Sequence, residues 1–164
     1  MKRQTKIVKR RRREGKTNYT RRLKLLVGKH PRFVFRKTNR YLILQIVQSS
    51  HAQDKVVHVT NSKELLKQGW PKEKTGSLKS LPAAYLSGYL LGKKVKDIKG
   101  KIILDVGLIP STKGSKIYAA LKGFSDAGVN IAHDKKILPT QERIEGENSK
   151  IDKETFNKIK EAIK

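Results

Sequence analysis

The chain has 164 residues, 36% of them hydrophobic, and carries 39 Lys and Arg against 14 Asp and Glu, a net charge of +25. That length suits one domain with tails better than two domains. The absence of cysteine excludes disulfide frameworks, thiolate metal sites and cysteine nucleophiles. With no long apolar run for a membrane helix and no apolar stretch behind the basic N-terminus for a secretory signal, a soluble intracellular protein is expected.

The charge is uneven. Residues 1–40 hold 17 basic side chains and one acidic, residues 41–138 hold 16 and 7, and residues 139–164 hold 6 and 6. Self-repulsion at that density opposes compaction unless a polyanion neutralises it. An anionic membrane would want an amphipathic basic helix. Residues 1–22 offer only Met1, Ile7, Val8 and Tyr19 as apolar groups. Nucleic acid is therefore the expected partner.

In chain order, residues 1–31 read as a basic arm, too repulsive around Lys9 to Arg13 to fold alone and suited to ordering on binding. A short helix is expected near 19–26. An α/β core spans 32–138. Three strands, 32–38, 41–50 and 55–60, form an antiparallel meander, with Asn39-Arg40 as the first turn. Alternation puts Phe33 and Phe35 on one face of the first strand, and Arg32, Val34, Arg36 and Thr38 on the other. In the second strand Leu42, Leu44 and Ile46 oppose Tyr41, Ile43, Gln45 and Val47. In the third, Val57 and Val59 oppose Val56, His58 and Thr60. One face is greasy, to be covered by helices, and the other is mixed and partly basic.

Asn61 or Ser62 should cap a short helix over 63–67. A longer helix is expected over 81–95, with Pro82 in its first turn. Its Ala84, Gly88 and Gly92 recur every four residues and suit close approach to the sheet. Each glycine costs a helix about 1 kcal/mol, so a packing reason is implied. A fourth strand over 101–106 is apolar on both faces, as a central strand should be. Ser111 or Thr112 should start the next helix, with Ile117, Leu121 and Phe124 facing inward and Gly128 closing it. A short fifth strand follows at 129–131. Residues 139–164 read as a polar tail with a last helix over 151–164, started by a capping box from Ser149 to Asp152 and striped by Phe156, Ile159 and Ile163. The fold class is α/β with a mixed sheet, similar in topology to ribonuclease H, plus an extended arm.

The chemistry is that of a binder. Arginine forks match phosphate oxygens in pairs. Asn18 and Tyr19 add amide hydrogen bonds and a stacking surface of the kind used on looped RNA. Gly15-Lys16-Thr17 lacks the earlier glycine and preceding strand of a P-loop. The stretch from Gly107 to Ser115 sits between a strand and a helix, but its Lys113 precedes Gly114 instead of following it. It reads either as a plain loop or as a phosphate contact. His30, His51, His58 and His133 show no metal-binding spacing. A two-metal nuclease needs clustered carboxylates, yet the first strand offers only Arg32 and Arg36, and the helix over 81–95 has no acid. Asp105, Asp126 and Asp134 read as strand-end and helix-end polar groups paired with lysines. No catalytic residue, metal or cofactor is expected.

Several stretches in order carry a resemblance. They are Arg10-Arg11-Arg12-Arg13-Glu14-Gly15-Lys16-Thr17-Asn18-Tyr19; residues 31–45; residues 84–94; Asp105-Val106-Gly107; residues 113–123; residues 126–131 with His133; and residues 142–146. Together they resemble the archaeal and eukaryotic branch of large-subunit ribosomal protein family eighteen, and most closely its archaeal form, since the long C-terminal extension of the eukaryotic relatives is not seen. The resemblance implies a structural protein of the cytoplasmic large ribosomal subunit. Its implied partners are 5S rRNA in the central protuberance, 23S rRNA and neighbouring ribosomal proteins, with no membrane and no small-molecule substrate. It implies RNA contacts at Arg10, Arg11, Arg12, Arg13, Lys16, Thr17, Asn18, Tyr19, Arg21, Arg22, Arg32, Arg36, Lys37, Asn39, Arg40 and Gln45. Lys37 fits least, since alternation turns it away from the mixed face. The rival readings are a non-ribosomal RNA chaperone, a two-metal nuclease and a DNA-compacting protein.

Overall fold

A computed structural model describes residues 7–51, 53–95, 98, 100–146, 149 and 151–163. The elements are α1 (Arg10–Arg13), α2 (Tyr19–Val27), β1 (Arg32–Lys37), β2 (Leu42–Ser50), β3 (Gln53–Asn61), α3 (Leu81–Lys94), β4 (Ile103–Asp105), α4 (Lys116–Asp126), α5 (Gln141–Glu145) and α6 (Lys153–Ile163), with 3₁₀ turns at Ser62–Gln68, Lys72–Ser77 and Lys135–Ile137. The sheet order is β3-β2-β1-β4. Both hairpin pairs are antiparallel, and β4 runs parallel to β1. The expected fifth strand is reduced to a single parallel bridge between Ile102 and Ile131. It still lies outside β4, so the order matches the topology expected from the sequence.

Alternation along β1 and β2 builds the core. Phe33, Phe35, Leu42, Leu44 and Ile46 are at most 1% exposed and pack under α3 and α4, with Phe33 4.7 Å from Phe124 between ring centroids. α3 starts where Ser80 accepts a hydrogen bond from the Ala83 amide and Pro82 fills the first turn. Asn61, not Ser62, caps the turn after β3, in a reciprocal box with Glu64. α6 buries Phe156, Ile159 and Ile163, and Phe156 packs on Tyr85 of α3. Of the expected capping box before α6, Lys150 lies outside the described residues, as does Lys164 at the helix end.

The small-residue stripe of α3 meets α4 instead of the sheet. A Cβ on Gly88 would sit 2.0 Å from the Ala120 carbonyl oxygen, and one on Gly123 would sit 2.0 Å from that of Tyr85. Two reciprocal stripes of small residues, with glycine at the points of closest approach, let the helix backbones touch. Gly123→Ala is therefore expected to lower stability by about 2–3 kcal/mol in urea unfolding. A change within about 0.5 kcal/mol would show that the helices separate at no cost.

α4 begins later than expected. Its N-cap is Ser115, and residues 107–114 form a loop in which the Gly114 amide donates to the Ile137 carbonyl. In the arm, α2 stands where a helix was expected near 19–26, and α1 adds one further turn, beside which Glu14 pairs with Arg10 and Lys16 and Arg11 Nε donates to Thr17 Oγ1 at 3.0 Å. Met1 to Lys6 lie outside the described residues.

Candidate nucleic-acid interface

α2 reaches the mixed face of the sheet through two side chains. Asn18 caps it, its side-chain oxygen accepting from the Arg21 amide at 3.0 Å. The helix is then tied down at two points. Arg22 pairs with Asp54 of β3 at 2.7 Å, and Arg21 Nη1 donates to the Gly107 carbonyl at 3.2 Å.

Beneath it runs an alternating charge chain, Arg22, Asp54, Arg32, Asp105, Arg36. Arg32 is 2% exposed. It pairs with Asp54 and with Asp105, each at 2.8 Å, and donates to Ser49 Oγ at 3.0 Å. Arg36 reaches Asp105 Oδ1 at 3.3 Å and its carbonyl at 3.0 Å. Asp105 also accepts from the Gly107 amide at 2.9 Å. Gly107 has φ +61, a conformation that requires glycine, and a Cβ there would lie 3.2 Å from the movable end of Arg36. The lysine partners expected for the carboxylates are corrected. Asp105 holds arginines, Asp126 accepts from Tyr85 Oη at 2.8 Å, and Asp134 caps the Lys136 amide.

Asp54 shows the cost and gain of this chain. Burial pushes its carboxyl up, but hydrogen bonds from Ser49 and Arg22 and the Arg32 guanidinium outweigh that, holding it at about 2 against an ordinary 3.8. A depressed carboxyl contributes stability that is complete above the unfolded value and lost as pH falls through the folded one. Acid titration between about pH 4 and pH 2 should therefore cost the wild type about 1–2 kcal/mol more than Asp54→Asn, after allowance for partial solvent screening. Parallel acid-unfolding curves for the two proteins would contradict this.

The candidate contact residues thus fall into three groups. Arg10, Arg11, Arg12, Arg13, Lys16, Thr17, Asn18, Tyr19 and Arg21 lie together on the arm, mostly exposed. Lys9 lies 4.7 Å from the Tyr19 ring centroid. A cavity of about 340 Å³ is lined by Arg12, Thr17, Asn18, Tyr19 and Leu108. Asn39 and Arg40 are exposed at the β1–β2 turn, and Lys37 is exposed at the end of β1. Arg22, Arg32 and Arg36 are committed to carboxylates, and Gln45 is half-buried opposite Val34 and Val59. The expectation that Arg32 is presented on an open face is corrected: Asp54 and Asp105, distant in sequence, converge on it. Sequence reasoning missed Asp54. The signal was a lone acid at the start of a strand in a strongly basic half.

Residues 2–101 and 96–134 match the family described as ribosomal large subunit proteins 60S L5 and 50S L18. The chain is 50% identical over 144 residues to large ribosomal subunit protein uL18 of Korarchaeum cryptofilum, covering 87% of this chain and 72% of that one. It is 44% identical to the uL18 protein of Methanoregula boonei, over 85% of this chain and 78% of the other. To that of Methanothermobacter thermautotrophicus it is 42% identical, over 87% and 73%. The chain belongs to the uL18 family. As in any uL18 protein, a place in the large ribosomal subunit means association with rRNA and ribosomal proteins. Its ribonuclease H-like sheet serves a structural role. Where a nuclease of this topology needs free carboxylates for metals, Asp105 is closed off by two arginines. Among the described residues no cluster of acids, histidines or cysteines is placed to hold a metal ion, and no helix is long and apolar enough to cross a membrane.

Proposed function

We propose that this uL18 protein binds 5S rRNA and helps anchor it in the central protuberance of the cytoplasmic large subunit, without catalysis, touching 23S rRNA and neighbouring proteins there. The observation that carries the reading is the arm. It sets the exposed arginines of α1 next to α2, which carries Tyr19 and is linked to the sheet by Arg22–Asp54 and Arg21–Gly107. Arginines so placed neutralise backbone phosphates, and Tyr19 with Asn18 offers a surface for an unstacked base. Asn39, Arg40 and Lys37 extend the contact along the sheet end. Arg32 holds the arm in place and touches no RNA; Arg22 and Arg36 act mainly through it.

Competition between 5S rRNA and an unrelated structured RNA of equal length, across a salt series, tests this. A preference for 5S rRNA that survives moderate salt is expected, on a log–log salt slope of roughly −7 if about ten phosphates are neutralised. Equal binding with the same slope would leave a general RNA-binding module of the chaperone kind.

A further inference from the structure

The loop after β4 is a ridge with a cavity on each side. One side is the arm cavity beside Leu108. The other holds about 300 Å³, with Lys37, Lys116 and Arg143 in its walls, apolar Phe35 and Ile117 behind them, and no carboxylate in its lining. Arg143 Nη1 lies against Gly114, 2.9 Å from where a Cβ would be. Lys79 stands close by, donating to the Asn39 carbonyl. Partial burial, then the nearby Lys37 and Lys79, push the Lys116 ammonium below its ordinary pKa. None of Lys37, Lys79, Lys116 and Arg143 is ion-paired with a described residue. Ser115 lines the same cavity, its hydroxyl oxygen buried and without a hydrogen-bond partner among the described residues.

Like charges gathered at a half-buried cavity destabilise the free protein, and an anion removes that penalty. Lysine point charges beside an arginine fork suit a phosphate. The first turn of α4 adds unspent amide donors. We propose that this cavity is a second phosphate socket, gripping the RNA backbone on the side of the ridge opposite the arm. The proposal rests on the RNA-binding reading of the arm. It gives Lys37 a role that its strand parity denied it on the mixed face. It also makes binding two-point, so that each contact raises the effective concentration of the other.

The test uses the full chain carrying Lys116→Gln with Arg143→Gln, and a second pair, Lys37→Gln with Lys79→Gln, whose exposed positions spare the fold. Each is titrated with 5S rRNA and with an unrelated structured RNA across a salt series. Binding roughly 5–20-fold weaker for both RNAs, with a slope shallower by about 1–2, is expected. Lys116→Gln alone should also raise Tm, since repulsion is relieved. Folded variants with unchanged affinity and slope overturn the socket while leaving the arm reading intact. A wild type indifferent to 5S rRNA would sink the 5S assignment, with the socket still judged by slope. Unchanged RNA binding together with lost binding of polyglutamate also overturns it, giving the cavity to an acidic protein segment.

Discussion

Alanine at Arg10, Arg11, Arg12 and Arg13 together weakens binding to 5S rRNA by about 100- to 1,000-fold at moderate salt and flattens the salt slope by roughly 3. The size follows from counterion release: each phosphate neutralised adds about 0.7–0.9 to the slope, and the affinity loss is the same effect read at one salt concentration. The four side chains are exposed on α1 with no buried residue among them, so their removal leaves the core intact. Among the ion pairs of the described residues, only Arg10 of the four has a carboxylate partner, at 3.7 Å and on the surface, where such pairs are worth little. Circular dichroism and Tm should therefore match the wild type to within a few degrees. A binding loss accompanied by unfolding, or a slope that does not move, would place the RNA contacts elsewhere.

Asp105→Ala should cost about 3–5 kcal/mol of stability, the range for breaking a buried ion pair by removing one partner. Asp105 is 6% exposed and Arg32 2%. Removal leaves the Arg32 guanidinium only Asp54 and Ser49, and its Nη1 then lacks an acceptor, as its Nε already does among the described residues. It also takes the carboxylate from the Gly107 amide and from Arg36, which keeps only the carbonyls of Phe35 and residue 105, so the anchor point of Arg21 loosens. Two readouts separate the effects. Urea unfolding reports the stability loss. RNA binding, measured where the variant is still folded, should show a higher entropic cost of ordering the arm, read as several-fold weaker affinity with an unchanged salt slope. Replacing both partners, as Arg32→Met with Asp105→Leu, should recover most of the stability. A double variant no better than Asp105→Ala would mean that the charge chain does more than satisfy itself.

Much of this fold was legible because local signals agreed. The alternation of Leu42, Leu44 and Ile46 set the sheet's inner face, and Ser80 with Pro82 marked the start of α3. Other features depended on partners far along the chain. Ser111, Thr112 and Ser115 all carry cap chemistry, and nothing local says that Gly114 binds Ile137 and delays the helix to Ser115. The α3 stripe announced a close approach, and Ala119 and Gly123 of α4 with its C-cap Ala127 repeat its four-residue spacing, but only the structure brings the two stripes together. Alternation put Arg32 on the correct face. Its burial came from Asp54 and Asp105, positions 22 and 73 residues away. The first turn of the arm, α1, falls in a run read only by its repulsion, where Glu14 pairs with Arg10 and Lys16. Lys37 was the informative misfit: its parity excluded the mixed face and led to the cavity beside Lys116.

The arm, held by the Arg–Asp chain, is proposed as the RNA-contacting edge of this protein. Ultraviolet cross-linking of the complex with 5S rRNA, followed by mass spectrometry of the cross-linked peptides, tests it most directly. Cross-links are expected to centre on Tyr19 and the peptides flanking it, with further ones at the β1–β2 turn around Arg40. Cross-links confined to α5 and α6, with the arm peptides recovered unmodified, would contradict it.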